Sequence, residues 1–242
     1  MKSNFIVYDF EKSRARIDEI LKAEDSSYVE LDYIPTRDKL TYTNGFYVNC
    51  SAFFIDIRKS SELPNKYKRP TLAKIYRSFL SEIVATLNGN SSCCEIDIQG
   101  DSVWGIFDTK TKENIDELFD TVAKCSSIIS FLNYKFKTKS IDPISFGIGL
   151  SYGRALMIKG GYDGSGINEV IWMGDVVNEA SKLCSYANRT TFKHELMVSK
   201  VFYNNLNNHN RSLLSWDHVY SCYTENILYG DMKNWFNKNC KK

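Results

Sequence analysis

The chain has 242 residues, 43% hydrophobic and 25% charged, with 31 Lys+Arg against 29 Asp+Glu and a formal charge of +2. This is the make-up of an ordinary globular protein, and it excludes a disordered chain. It also excludes a protein built to coat nucleic acid, whose phosphate contacts demand a basic excess. No apolar run approaches the ~20 residues that span a bilayer, and residues 1–10 lack the apolar centre of a signal peptide, so no membrane association is expected. The seven cysteines are scattered, without paired CxxC motifs, as expected of free thiols in a reducing cytoplasm.

Residues 1–45 are polar and turn-rich and read as an amino-terminal extension, with a short helix over Asp9 to Ala23 carrying Ile17, Ile20 and Leu21 on one side. The Asn44-Gly45 turn signal leads into a buried strand, Phe46 to Ile57, which opens the main domain over 46–242. A helix starts at Pro70-Thr71 with Leu72, Ile75, Phe79, Ile83 and Leu87 at i, i+3, i+4, i+7 spacing, and Asn88-Gly89 stops it. Glu95 to Ile98 and Ser102 to Phe107 form a hairpin around Gly100-Asp101, and a long helix occupies Lys112 to Phe136. Strands follow near Ile144–Leu150, Arg154–Ile158 and Val170–Met173, the last after a glycine-rich loop over Gly160 to Gly166. Asp175 is placed to cap a helix running to Ala187. Strand–helix–strand–strand–helix–strand is the ferredoxin-like plan of an α+β domain, an antiparallel-rich sheet with helices on one side.

Two acids stand out by position. Asp56 ends the apolar run Phe53-Phe54-Ile55-Asp56-Ile57, where a carboxylate is costly unless something neutralises it. Asp101 lies in the hairpin turn. If the first strand and the hairpin are neighbours, both emerge at one edge and, with a main-chain carbonyl, make a hard-oxygen site suited to Mg²⁺ or Mn²⁺ on phosphates. Either residue alone reads more simply as a capping or a turn aspartate. Asn178 and Lys182 are i and i+4 on the later helix, an amide and a cation able to address one phosphoryl group, or equally a solvated face.

Together these stretches carry a resemblance. Phe54-Ile55-Asp56-Ile57 and Gly100-Asp101-Ser102-Val103 resemble the two metal-binding motifs of class III nucleotidyl cyclases. Gly147-Ile148-Gly149-Leu150-Ser151-Tyr152-Gly153 is similar to their central strand, and Gly174-Asp175-Val176-Val177-Asn178-Glu179-Ala180-Ser181-Lys182 to their dimerisation segment. The resemblance implies a head-to-tail homodimer with shared active sites. Asp56, Asp101 and the Ile57 carbonyl would hold two divalent cations, Mn²⁺ or Mg²⁺. Arg58, Lys59, Ser60 and Ser61 would wrap the triphosphate, and Asn178 and Lys182 would come from the other subunit. Lys182 stands where the family commonly has arginine, keeping the charge and losing the bidentate fork.

At the two base-selecting positions this chain has Asp97 and Ile171, a pair that fits neither purine pattern. Ile171 offers no hydrogen bond. Asp97 can accept from uracil N3–H, from the cytosine amine or from guanine N1–H, and Phe54, Trp104 and Trp172 are placed to narrow the site towards a pyrimidine. The run Phe54 to Ser61 and the amino-terminal segment are similar to the pyrimidine cyclases of bacterial antiphage Pycsar systems. That resemblance implies UTP, or CTP, converted to a 3′,5′-cyclic monophosphate that a separate effector reads. A purine cyclase and an inactive regulatory cyclase-like module are the alternatives. The family's carboxy-terminal triphosphate lysine is missing before Tyr229-Gly230-Asp231-Met232, leaving Lys233 or Arg211 as substitutes.

Overall fold

A mixed sheet forms the centre of the protein in a computed structural model that describes residues 2–189 and 194–240. Helix α1 (Phe10–Leu21) is capped by Asp9, whose carboxylate accepts from the amides of Glu11 and Lys12 at 3.0 and 3.2 Å. Strand β1 (Tyr28–Leu31) precedes β2 (Gly45–Ile57). Helices α2 (Leu63–Lys66) and α3 (Arg69–Asn88) lead to the hairpin β3 (Cys93–Gln99) and β4 (Ser102–Phe107). Then come α4 (Lys112–Lys137), β5 (Phe146–Tyr162), β6 (Ile167–Met173) and α5 (Asp175–Tyr186). The carboxy-terminal part adds β7 (Leu196–Val198), α6 (Lys200–Asn205), α7 (Asn208–Ser212), β8 (Ser215–Asp217), β9 (Cys222–Glu225) and α8 (Gly230–Cys240).

The strand order is β3-β4-β2-β5-β7-β9-β8, with β1 beside the start of β2 and β6 beside the end of β5. Strands β3, β4, β2 and β5 are antiparallel neighbours joined by the α3 and α4 crossovers, which is the ferredoxin-like plan. The β1–β2 and β5–β7 pairs are parallel. The alternation of a strand sorts β2 into two faces. Phe53, Ile55 and Ile57 pack with Ile75, Phe79 and Ile83 of α3 and with Leu118, Val122 and Ile129 of α4. Val48, Cys50 and Ala52 face the other way, against Met157, Trp172, and Val176 and Ala180 of α5.

Several features differ from the sequence expectation. Helix α5 lies on the face opposite α3 and α4, so the sheet is covered from both sides. The reason is a close approach: a Cβ at Gly149 would stand 2.0 Å from the Ala180 carbonyl oxygen and 2.2 Å from the Cys184 nitrogen. Strand β5 is continuous where two short strands were expected, because the 13-residue β2 pairs with it from Gly45↔Ile158 to Ile57↔Phe146. Within the amino-terminal segment, β1 pairs with the start of β2 and Leu40 is buried in the core on the α5 face. Gly174 takes the cap of α5 at φ 143°, and Asp175 is the first helical residue.

Replacing Gly149 with alanine drives a methyl group into the backbone of α5, an overpacking that neither side can relieve. Gly149→Ala is expected to lower the melting temperature by about 6–10 °C or more. A Gly89→Ala control, whose Cβ would meet nothing closer than 3.4 Å at ordinary backbone angles, is expected to leave it near the wild-type value. Thermal unfolding followed by circular dichroism checks both.

Candidate active site

Asp56 sits opposite Ser102 in the β2–β4 ladder, so the turn before β4 brings Asp101 alongside it. Gly100 allows that turn with φ 64°, and the Ser102 hydroxyl donates to the Ile55 carbonyl at 3.1 Å. The carboxyl groups of Asp56 and Asp101 are in direct contact, and Asp101 Oδ2 is buried without a hydrogen-bond partner among the described residues. Burial first, and the Asp101 charge second, push the Asp56 carboxyl up to about 6, while the Arg58 and Arg189 guanidinium groups pull it down. Two acids held together with one oxygen left unpaired fit a divalent cation, which would relieve the repulsion and fill the orphaned acceptor. Among the described residues no group of three or more His, Cys, Asp or Glu side chains is placed to hold a metal, and the Ile57 carbonyl is the main-chain oxygen at the end of β2.

Arg58 departs from its expected place on the triphosphate. Its side chain is 5% exposed, with Nη1 donating to Asp56 Oδ2 at 2.9 Å, Nε to the Ala187 carbonyl at 2.8 Å and Nη2 to the Cys184 carbonyl. The last turn of a helix leaves carbonyls unpaired and carries partial negative charge, and a buried guanidinium satisfies both. A Cβ at Gly147 would lie 1.8 Å from Arg58 Nη2, so glycine at 147 makes room for it. The segment after Arg58 stays on the surface: Lys59 takes a left-handed conformation at φ 56°, and a 3₁₀ turn over Ser60–Glu62 follows. The Tyr76 hydroxyl donates to the Ser60 carbonyl at 3.4 Å, fastening that turn to α3.

On the same face as Asp56, a groove of about 650 Å³ runs between β3–β4 and β6. Both Asp97 and Ile171 line it, with Phe54, Trp104 and Trp172 around them. Trp104 Nε1–H donates to Asp97 Oδ2 at 3.0 Å, and the Phe54 and Trp104 rings stack at 5.5 Å and 9°. Val177 of α5 closes one end, and the next residue, Asn178, is exposed, as is Lys182 one turn on. The cations that act on Asp56 are Arg58, directly after β2, and Arg189, just beyond the end of α5.

Sequence reasoning passed over Arg37 and Glu95, which pair across the groove wall, and Arg189 beside Asp56. Arg37 lies in a polar turn with no motif around it, and Arg189 stands beyond the end of the helix that carries Asn178 and Lys182. In the tail, the Arg211 guanidinium donates to the Tyr203 and Asn204 carbonyls, which ties it to the α6–α7 turn, and Lys233 lies in the first turns of α8.

No protein-family model matches the chain. It is similar to the uridylate cyclase of Gulbenkiania mobilis, 42% identical over 212 residues that cover 85% of this chain and 82% of that one. It is also similar to the uridylate cyclase of Treponema porcinum, 35% identical over 246 residues, 98% of this chain and 84% of that one. Among solved structures, the adenylyl cyclase CyaB from P. aeruginosa superposes with a TM-score of 0.61 at 18% identity, over 71% of this chain and 85% of that one.

The Asp56–Asp101 contact generates a test that needs no turnover. Asp101→Asn removes the like charge, so the metal-free variant is expected to melt about 2–4 °C above wild type. Adding Mn²⁺ is expected to raise the wild-type melting temperature and leave the variant's almost unmoved. Equal Mn²⁺ shifts in both proteins would contradict the assignment of Asp101 as a ligand.

Proposed function

The chain belongs to the uridylate cyclase family of class III nucleotidyl cyclases, and from that premise we propose that it converts UTP to 3′,5′-cyclic UMP and pyrophosphate. The observation that carries the reading is the groove that holds Asp97 and Ile171 together beneath the Phe54–Trp104 stack. With Oδ2 of Asp97 held by Trp104, Oδ1 remains to accept from uracil N3–H. Ile171 offers no polar atom to a purine edge, and the three aromatic side chains narrow the groove towards a single ring. The cytosine amine suits the same acceptor oxygen, which makes cyclic CMP the second reading.

Asp56, Asp101 and the Ile57 carbonyl are the groups that would hold two divalent cations, Mn²⁺ or Mg²⁺. Such ions, when bound, lower the pKa of the ribose 3′-OH and offset charge on the departing pyrophosphate. The chain's own groups do the positioning. Lys59, Ser60 and Ser61 meet the triphosphate with a cation, two hydroxyls and the free amides of the 3₁₀ turn, and Arg58 holds the Asp56 carboxylate from beneath. The Asn178 amide and the Lys182 ammonium take up charge that develops on the transferred phosphoryl group.

Asn178 and Lys182 act on the Asp56–Asp101 centre of a second copy in a head-to-tail homodimer. Their exposure on the outer side of α5 supports that reading. The cyclic nucleotide serves as a second messenger in antiviral defence, read in the cytoplasm by a separate effector, as the likeness to the antiphage cyclases suggests. No helix among the described residues is long and apolar enough to cross a membrane.

Incubation of the purified protein with UTP, CTP, ATP or GTP and Mn²⁺, with products identified by mass spectrometry, tests the reaction. Cyclic UMP as the dominant product is expected; cyclic CMP would move the assignment to the second reading, and a cyclic purine would overturn the base-pocket argument. Asp56→Ala and Asn178→Ala proteins are each expected to lose about 100-fold or more in turnover. Mixed, they are expected to recover a fraction of the wild-type rate, because one of the two shared sites is then intact. No recovery in verified heterodimers would refute the shared site.

A further inference from the structure

We propose that Arg37 is a specificity-determining residue, whose guanidinium donates to the O4 carbonyl of uracil in the Asp97 groove and so sets UTP apart from CTP. The inference rests on reading that groove as the base site. It begins with how the chain delivers Arg37. Strand β1 pairs with β2, Leu31 and Ile34 pack against the cluster that includes Phe54 and Trp104, and Leu40 is 4% exposed beneath the same face. Between these anchors, the short turn Arg37–Lys39 projects Arg37 into the groove wall. There Nη2 donates to Glu95, which is 9% exposed, and Nη1 stands 3.8 Å from Glu169 on β6.

A guanidinium has five N–H donors and no acceptor. One firm bond to Glu95 and one long contact to Glu169 leave donors to spare in the groove, and the Glu95 pair holds the planar fork in place. Asp97 supplies the complementary acceptor in the same groove. Uracil presents an acceptor at O4 beside a donor at N3–H, whereas cytosine reverses both, with an amine at position 4 and a bare N3. Asp97 alone accepts from either base, since the cytosine amine reaches the same kind of oxygen. Arg37 and Asp97 together break that tie. With the base held in the same position, cytosine sets its amine against the guanidinium and its bare N3 against the Asp97 carboxylate, donor to donor and acceptor to acceptor. Both protein groups lose their pairing, the arrangement that gives a polar site its discrimination.

The test measures kcat/KM for UTP and for CTP in wild type, Arg37→Met, Arg37→Lys and the double variant Arg37→Met with Glu95→Gln. The double variant removes the carboxylate that Arg37 pairs with, and so keeps the wall neutral if the single variant fails to fold. The ratio of UTP to CTP efficiency is expected to fall about 10- to 100-fold in Arg37→Met and in the double variant, chiefly through loss of UTP efficiency. Arg37→Lys, which keeps charge without the fork, is expected to fall between. A folded double variant with a wild-type ratio, both nucleotides slowed alike, would show that Arg37 only braces Glu95 and would overturn the proposal. The wild-type rates separate this from failure of the underlying reading. A wild type that makes no cyclic UMP removes the base site itself, whereas one that prefers UTP while the variants keep that preference removes Arg37 alone.

Discussion

A buried guanidinium is the tie on which the active face depends. Arg58 leaves the end of β2, passes over Gly147 and divides its donors between the Asp56 carboxylate and the carbonyls of Cys184 and Ala187 that end α5. A charge with 5% side-chain exposure persists only when paired and fully hydrogen-bonded, and here each partner needs Arg58 as much as Arg58 needs it. The helix end gains donors for carbonyls that no further turn would satisfy. Asp56 gains a cation that offsets part of the cost of its burial and of its contact with Asp101. The strand that carries the acid and the helix that carries Asn178 and Lys182 are thereby joined by one side chain.

That tie accounts for the glycine pattern of β5. Gly147 makes room for the guanidinium, and Gly149 makes room for the helix backbone that the guanidinium holds. Farther along, Ser151 donates to Glu179 of α5 at 2.7 Å, where the helix has drawn away enough for a side chain to reach. Each of these residues is on the same face of the sheet, two positions apart, as the strand period requires. The opposite face carries the large core with α3 and α4, whose many buried aliphatic and aromatic side chains need no polar contact at all. The polar and charged contacts are therefore gathered on the α5 face, beside a smaller core, while the larger core fills the other face of the same strands.

The same division explains what was legible in the sequence. The core helices were readable because period and spacing are local properties: the Ile75, Phe79 and Ile83 stripe is buried as its pattern required. The Asp56–Asp101 meeting was readable because a strand followed by a hairpin leaves few ways to pair, and the aromatic residues around Asp97 fell where a β-ladder puts them. Arg58 was not readable. Its sequence context, Arg58-Lys59-Ser60-Ser61, is that of a surface loop, and the direction of its side chain is decided by carbonyls 126 and 129 residues away. Arg37 was hidden for the same reason, since its partner Glu95 is 58 positions away and its own neighbours read as a polar turn. The side of the sheet taken by α5 was likewise a property of two glycines and a distant helix, not of the helix's own amphipathic pattern.

Helix α5 connects the two centres of charge on the face it covers. At its start Val177 borders the groove of Asp97 and Arg37, and at its end the Cys184 and Ala187 carbonyls hold Arg58 beside Asp56. Asn178 and Lys182 lie between these points on the exposed side of a helix whose opposite side is seated on β5 within contact distance of the backbone. A helix fixed at both ends and along one side has no freedom to roll, so the direction of its polar face is set by packing that no substrate touches. This face pairs acids with arginines at both ends, Glu95 and Glu169 with Arg37, Asp56 with Arg58 and Arg189, and leaves Asp101 Oδ2 without a hydrogen-bond partner among the described residues. Positions are thus fixed by packing and ion pairs where direction matters, while the Asp56–Asp101 contact keeps an excess of negative charge.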